Sequence, residues 1–192
     1  MPNLYIISGC NGSGKTTASY SLLPKMLGCN EFVNSDEFAK SISPFDPNAA
    51  AVGASRFMLQ KISYMLERQK DFGIETTLAT RTLTGILQRA REQGYRITII
   101  YLWLESPELA VDRIRRRVQS GGHNITTDTV QRRYSAGLHY FFETYKPMAD
   151  RWVLADNTRP PFAVVAEGSA EMTIVRNRKK YEQILNSLND TE

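Results

Sequence analysis

The sequence predicts an α/β fold: a parallel sheet with helices on both faces, an arginine-rich helical lid, and a small C-terminal β-hairpin plus helix. Three observations carry this. Short apolar runs alternate with longer segments at helical spacing, the pattern of a parallel sheet covered on both sides. Clusters of glycine, proline and serine fall between the runs, where turns belong. The tail breaks the alternation, because two short apolar runs flank Glu167-Gly168-Ser169-Ala170-Glu171 and read as an antiparallel hairpin.

Along the chain, residues 4–8 read as a buried strand and 15–23 as a helix that ends or kinks at Pro24. A short strand at 31–34 stops at Ser35-Asp36-Glu37, and turn chemistry follows from Ser43 to Asn48. A helix over about 49–69, a strand at 72–75 and a helix over 82–93 come next, the last closed by Gly94. Residues 96–104, RITIIYLWL, form the longest apolar run and the expected central strand. Ser106-Pro107 starts a helix with serine as cap and proline in the first turn, and Gly121-Gly122 ends it. A helix over 126–145, a strand at 152–154, the hairpin strands 162–166 and 172–175, and a helix over 177–189 complete the reading. With no linker or repeat, one domain over 1–192 is expected, its lid at about 113–133 and its C-terminal hairpin and helix at about 160–189.

The chain has 192 residues, 42% hydrophobic and 23% charged, a globular composition. No apolar run approaches the roughly 18 residues of a membrane-spanning helix, and no secretory signal is expected. Cys10 and Cys29 cannot make a disulfide framework or a zinc site, and they read as reduced thiols of a cytoplasmic protein. The net charge of +4 suits phosphorylated ligands without deciding among them. Arg113, Arg115, Arg116, Arg117, Arg132 and Arg133 fall within 21 residues, with Asp128 as the only acid between them. A second cluster, Arg176 to Lys180, reads as a solvated face.

Residues 9–17 are GCNGSGKTT, in which Gly9, Gly14, Lys15 and Thr16 fit G-x-x-x-x-G-K-[ST]. The glycines let the loop through Cys10, Asn11, Gly12 and Ser13 curl its N–H groups toward phosphate, and the helix beginning at Lys15, with Thr17 in its first turn, adds its positive end. Lys15 is placed to reach the β- and γ-phosphates and Thr16 to ligate Mg²⁺. A strand before and a helix after complete the context, so ATP and Mg²⁺ are the expected cofactors. No Asn-Lys-x-Asp guanine motif is present. Gln119-Ser120-Gly121-Gly122-His123 superficially resembles an ABC signature but lacks the strand that should follow it.

A kinase needs acceptor residues at the carboxyl ends of neighbouring strands. Asp36 could take a proton from an acceptor hydroxyl, unless it is only a helix N-cap. Glu75, with Thr76 and Thr77, could hold that hydroxyl, and Arg81 at the end of the same segment is counted with them. On the helix from Pro107, Val111, Ile114 and Val118 share one face; Arg113, Arg116 and Arg117 point away and Arg115 flanks the buried side. A row of arginines is usually solvated, but the glycine break and Arg132-Arg133 suggest a lid over triphosphate, with Arg113, Arg117 and Arg133 as the preferred three. His123 reads as a loop residue, His139 as packed on its helix, and Tyr140, Phe141, Phe142 and Tyr145 as core.

GCNGSGKTT, FVNSDEFAKSISPF, FGIETTLATR, LWLESPELAVDRIRRRV, and GGHNI followed by RRY together resemble small zeta-toxin-like P-loop proteins over most of residues 3–157. The resemblance implies an ATP-dependent kinase of a toxin–antitoxin module, phosphorylating a sugar hydroxyl of UDP-N-acetylglucosamine, with an antitoxin as protein partner. It implies Asp36 as catalytic base, Glu75 in the sugar site, Lys15 on phosphate and lid arginines within 113–133. Arg113 would stack on adenine at the lid's root, opposite the loop 157–160. The chain departs from the pattern where its central strand ends Leu104-Glu105, with no Walker B aspartate, so either Glu105 acts through water or Mg²⁺ relies on Thr16, the phosphates and Asp36. A polynucleotide kinase or a nucleotide sensor without transfer are the rival expectations. No recognised nucleic-acid fold or membrane segment supports either kind of partner.

Overall fold

A computed structural model of the chain describes residues 1–47, 49–122 and 124–189. The readings of Asn48 as turn and His123 as loop lie outside the described residues. The chain runs β1 (Asn3–Ser8), α1 (Lys15–Ser21), β2 (Phe32–Val33), α2 (Ser35–Ile42), α3 (Ala51–Glu67), β3 (Phe72–Thr76), α4 (Thr84–Glu92) and β4 (Arg96–Trp103). It continues with α5 (Pro107–Gln119), α6 (Thr127–Tyr140), β5 (Arg151–Asp156), β6 (Ala163–Gly168), β7 (Thr173–Val175) and α7 (Arg178–Asn189). The strands form a seven-stranded sheet in the order β2-β3-β1-β4-β5-β6-β7. The first five are parallel, and β6 and β7 join β5 antiparallel, so the expected hairpin extends the sheet.

Strand alternation sends β1 side chains to opposite faces. Leu4 and Ile6 meet Ile62 and Leu66 of α3, Leu87 of α4, Leu138 of α6 and Ile184 of α7. Tyr5 and Ile7 meet Ala18 of α1 and the following Leu22 and Leu23. With both faces covered, β4 is buried from Ile97 to Trp103, which is why it reads as one continuous apolar run. A third cluster, Cys10, Leu104, Ala110, Val111, Ile114 and Val130, seats α5 and α6 above the carboxyl end of the sheet. Phe141 and Tyr145 are fully buried and Tyr140 and Phe142 pack partly buried against the same core, while His139 is exposed with its ring edge-on to Tyr140 of its own helix.

Three elements differ from expectation. Residues 35–42 form α2, where the sequence suggested a stop; Asn34 caps it by accepting from Asp36 N and Glu37 N, so Asp36 is not the cap. The first helix, expected to end or kink at Pro24, leaves α geometry after Ser21 and widens into a π-helical turn, Leu22–Met26, closed by Leu27 N to Leu22 O at 3.0 Å. Proline lacks the N–H that a regular turn would use there, and the wider turn tolerates the loss. The helix at 127 likewise ends in a π turn, Phe141–Tyr145, before a single 3₁₀ turn. Ser106 caps α5 by accepting from Leu109 N, with Pro107 in the first turn, and Gly121 (φ 82) closes it, both as read from the sequence.

Candidate active site

The loop from Gly9 to Gly14 joins β1 to α1 at the carboxyl end of the sheet. Gly9 has φ 137 and a Cβ there would collide with the Leu102 carbonyl; Gly12 has φ 81 and a Cβ would stand 2.8 Å from Ala110 O. Only glycine can take this path. Lys15 is 8% exposed, and its Nζ donates to Cys10 O at 2.9 Å. Burial lowers its pKa, which the carboxylate of Glu75 partly opposes. The Cys10 thiol, also buried, is pushed up to about 11, which keeps it protonated and inert. Asn157 donates to Ser13 O at 2.7 Å, tying the loop after β5 to the glycine loop.

β3 lies beside β1, so Glu75 comes next to Thr16. Thr16 Oγ1 donates to Glu75 Oε1 at 3.0 Å, and Asn34 Nδ2 donates to Glu75 Oε2 at 2.9 Å. Burial raises the Glu75 pKa, against the pull of Lys15 and the Thr16 hydrogen bond. Asn34 thus holds two positions with one amide: its oxygen sets the first turn of α2, which carries Asp36, and its nitrogen grips Glu75. Sequence reasoning passed over Asn34 as a ligand of anything; an Asn directly before Ser-Asp-Glu at a strand end is a capping signal that could have found it. Glu105 does not fill the place of a Walker B acid. It is exposed at the end of β4, outside the cavity linings, with its N–H donating to Thr158 Oγ1. The carboxylate facing Thr16 is Glu75.

After β3 the chain turns through Leu78, which is 2% exposed at φ 53, a strained conformation for a branched residue. Its N–H donates to Thr76 Oγ1 at 3.1 Å. Arg81, grouped with the acceptor residues in the sequence, turns away from them. It lies 5.5 Å from the centroid of the Tyr140 ring and lines neither cavity described below.

Of the arginines on α5, Arg113 is partly buried and Arg115 is exposed beside Asp112, so Arg113 flanks the buried side and Arg115 does not. The Arg113 guanidinium donates to Asn157 O (2.9 Å), Thr158 O (2.8 Å) and Gly12 O (3.4 Å), which fixes its plane between the glycine loop and the loop after β5. Arg133 donates to Asn11 Oδ1 at 3.2 Å. Arg117 reaches the same cavity wall, while Arg116 and Arg132 are exposed outside it.

A cavity of about 550 Å³ opens over the glycine loop. Lys15, Lys40, Arg113, Arg117 and Arg133 line it against Asp36, Glu37 and Glu75, five bases to three acids. Gly12, Gly14, Thr16 and Thr17 line it, whereas Gly9, Cys10 and Ser13, expected with them, are buried and do not. A second cavity of about 210 Å³ adjoins it, sharing Asn11, Lys15, Ser35, Asp36, Glu75 and Arg133. Thr76 and Thr77 line this second space. Among the described residues no cluster of three His, Cys, Asp or Glu could hold a metal. Thr16 and Glu75 nonetheless offer hard oxygen donors side by side, a set that suits Mg²⁺ when phosphates and water complete its shell. No described helix is long and apolar enough to cross a membrane.

Comparison with known proteins agrees with this architecture. A stretch of 127 residues, 66% of the chain, is 31% identical to an uncharacterized protein of Haemophilus influenzae, 88% of which it covers. A chain of the AvrRxo1-ORF1:AvrRxo1-ORF2 complex with sulphate ions superposes at TM-score 0.76 and 17% identity over 96% of this chain, which spans 63% of that one. The same complex with ATP matches at TM-score 0.71. The PezAT toxin–antitoxin system of Streptococcus pneumoniae matches at TM-score 0.66 and 15% identity, covering 99% of this chain and 87% of that one. At such identities the structures establish the fold alone. The family model described as Zeta toxin matches residues 1–146, and with that share of its 192 residues matched the chain belongs to the Zeta toxin family.

Proposed function

We propose that this chain is an ATP-dependent kinase that transfers the γ-phosphoryl group of ATP to a hydroxyl of a small molecule. The observation that carries the reading is the wall shared by the two cavities, which bears Lys15, Asp36, Glu75 and Arg133 together. A phosphate-binding chamber meets a smaller chamber at the charged groups that in-line transfer requires.

In this reading the loop amides and Lys15 hold the triphosphate, and the Arg113 plane faces the adenine. Asp36 accepts the proton as the acceptor oxygen bonds to the γ-phosphorus and the bond to the ADP oxygen breaks. Lys15, Arg117 and Arg133 balance charge on the moving phosphoryl group, with the arginines of 113–133 acting as a lid. Thr16 and Glu75 would hold Mg²⁺, which when bound supplies further charge neutralisation. Glu75, Thr76 and Thr77 orient the acceptor. UDP-N-acetylglucosamine, implied by the family resemblance, is the first acceptor to assay, and an antitoxin is the protein partner that family membership supports.

Incubation with γ-labelled ATP and a metabolite extract tests the proposal. Label in a small molecule is expected; label at a nucleic-acid end, or ATP binding without transfer, would overturn it.

A further inference from the structure

We infer that Lys180, on the C-terminal helix, is a positioning residue for the base of the donor nucleotide. It acts through Asp156, which shapes the turn whose carbonyls hold Arg113. The inference rests on the kinase reading, in which the Arg113 plane faces the adenine, and extends the donor site into the tail beyond β5.

The sequence presents residues 176–180 as one solvated basic cluster, but the fold divides it. Arg176, Arg178 and Lys179 are exposed, whereas Lys180 is partly buried. Asn177 accepts from Lys180 N at 3.1 Å in the first turn of α7, and Ile184, one turn on and fully buried, lies on the same face. The helix therefore turns Lys180 toward the sheet. Its Nζ stands 3.2 Å from Asp156 Oδ2 and 5.2 Å from the centroid of the Trp103 ring. The two charged side chains are 28% and 15% exposed, too enclosed for water and salt to screen the pair as they would on an open surface. Trp103 and Asp156 are register partners at the ends of β4 and β5, so one lysine grips both strand ends.

Asp156 divides its carboxylate between two tasks. Oδ2 meets Lys180, and Oδ1 accepts from Thr158 N at 2.9 Å, which closes the turn 156–158. Asn157 N donates to Trp103 O at 2.9 Å, and Thr158 Oγ1 accepts from Glu105 N at 3.1 Å. The turn so held aims the carbonyls of Asn157 and Thr158 at one nitrogen of Arg113, 2.9 and 2.8 Å away. An arginine side chain has much rotamer freedom to lose, so this pair of carbonyls decides where its plane lies. Without Lys180 the carboxylate regains water and its own rotation, and the turn and the Arg113 plane loosen with it. The phosphate side has supports of its own. Asn157 Nδ2 does reach Ser13 O, but the glycine loop also holds itself through Ser13 N to Cys10 O at 3.2 Å and Lys15 Nζ to Cys10 O at 2.9 Å.

Calorimetry on the full chain with the β,γ-imido analogue of ATP and with inorganic tripolyphosphate tests the assignment, because only the first carries a base. Lys180→Met should raise the Kd of the nucleotide about three- to tenfold and leave that of tripolyphosphate unchanged. Asp156→Asn, which keeps an oxygen for Thr158 N and removes the charge facing Lys180, should repeat the pattern. Lys180→Arg should recover most of the affinity, and Arg176→Met, which breaks the neighbouring pair with Glu167, should alter neither Kd. In an Arg113→Met background, Lys180→Met should have no further effect. The inference fails if both ligands weaken equally, if neither does, if Lys180→Arg or Arg176→Met behaves like Lys180→Met, or if the loss adds to that of Arg113→Met. The kinase reading survives each of these results, whereas a wild-type chain that binds no nucleotide would overturn both.

Discussion

Beyond their common wall, one chamber carries Lys40, Arg113 and Arg117 against Glu37, and the other carries no ionisable described side chain. The first is floored by one short segment, residues 12–17, beneath walls drawn from residues 35–55, 75, 113–117 and 133, while the second has no such local floor and draws on residues near 34, 58, 75 and 83. Phosphate is the same in every nucleotide, so backbone N–H groups and a lysine recognise it from local sequence. An acceptor differs from enzyme to enzyme, so its chamber is assembled from distant segments by the fold. The contrast explains why one half is a motif and the other is not.

The largest expected effect falls on the wall itself. Asp36→Asn should cut turnover by roughly 10²–10⁴-fold while ATP binding, followed by calorimetry, persists; near wild-type turnover would remove Asp36 as base. Lys15→Ala should lower kcat by about 10²–10³-fold and weaken ATP binding, followed by calorimetry; unchanged turnover would remove Lys15 from the mechanism. Asn34→Asp keeps the oxygen that caps α2 but turns a donor on Glu75 into a repelling carboxylate. Turnover should fall by about 10–100-fold, the cost of one charged hydrogen bond, with a helix content by circular dichroism close to wild type. A parallel loss in Asn34→Ala, which removes the cap as well, should come with a lower Tm.

The smallest effect is on stability. Burial raises the Glu75 pKa, so its contribution to folding is fullest below the unfolded value of about 4.3 and is lost as pH rises through the folded value. Glu75→Gln should therefore raise Tm relative to wild type by more at pH 8 than at pH 4, even as it impairs activity. A difference that does not change with pH would show that Glu75 does not carry this cost.

The sheet was legible because its strands are buried runs bounded by glycine, proline and serine, and β4 shows this most plainly. The capping of α5 and its glycine stop were legible because both signals are local. Helix α2 was not. It has only eight residues, its Ser-Asp-Glu start reads equally as the stop of the strand before it, and it is held by Asn34 and by Phe38 stacked on Phe57 of α3 at 3.8 Å. The partner of Thr16 was illegible for another reason. Sheet order sets β1 between β3 and β4, and it is the end of β3, not that of β4, that brings a carboxylate to the threonine. Arg81 and Arg115 were misjudged because spacing along a segment does not reveal which tertiary neighbour, Tyr140 or solvent, claims a guanidinium.

One carboxylate answers to both chambers: Glu75 takes the Thr16 hydroxyl with one oxygen and the Asn34 amide with the other. Under the proposed mechanism, nucleotide loading recruits that hydroxyl and so redistributes the hold on the acceptor side. Binding of donor and acceptor is then coupled, and by linkage each must alter the other's dissociation constant by an identical factor.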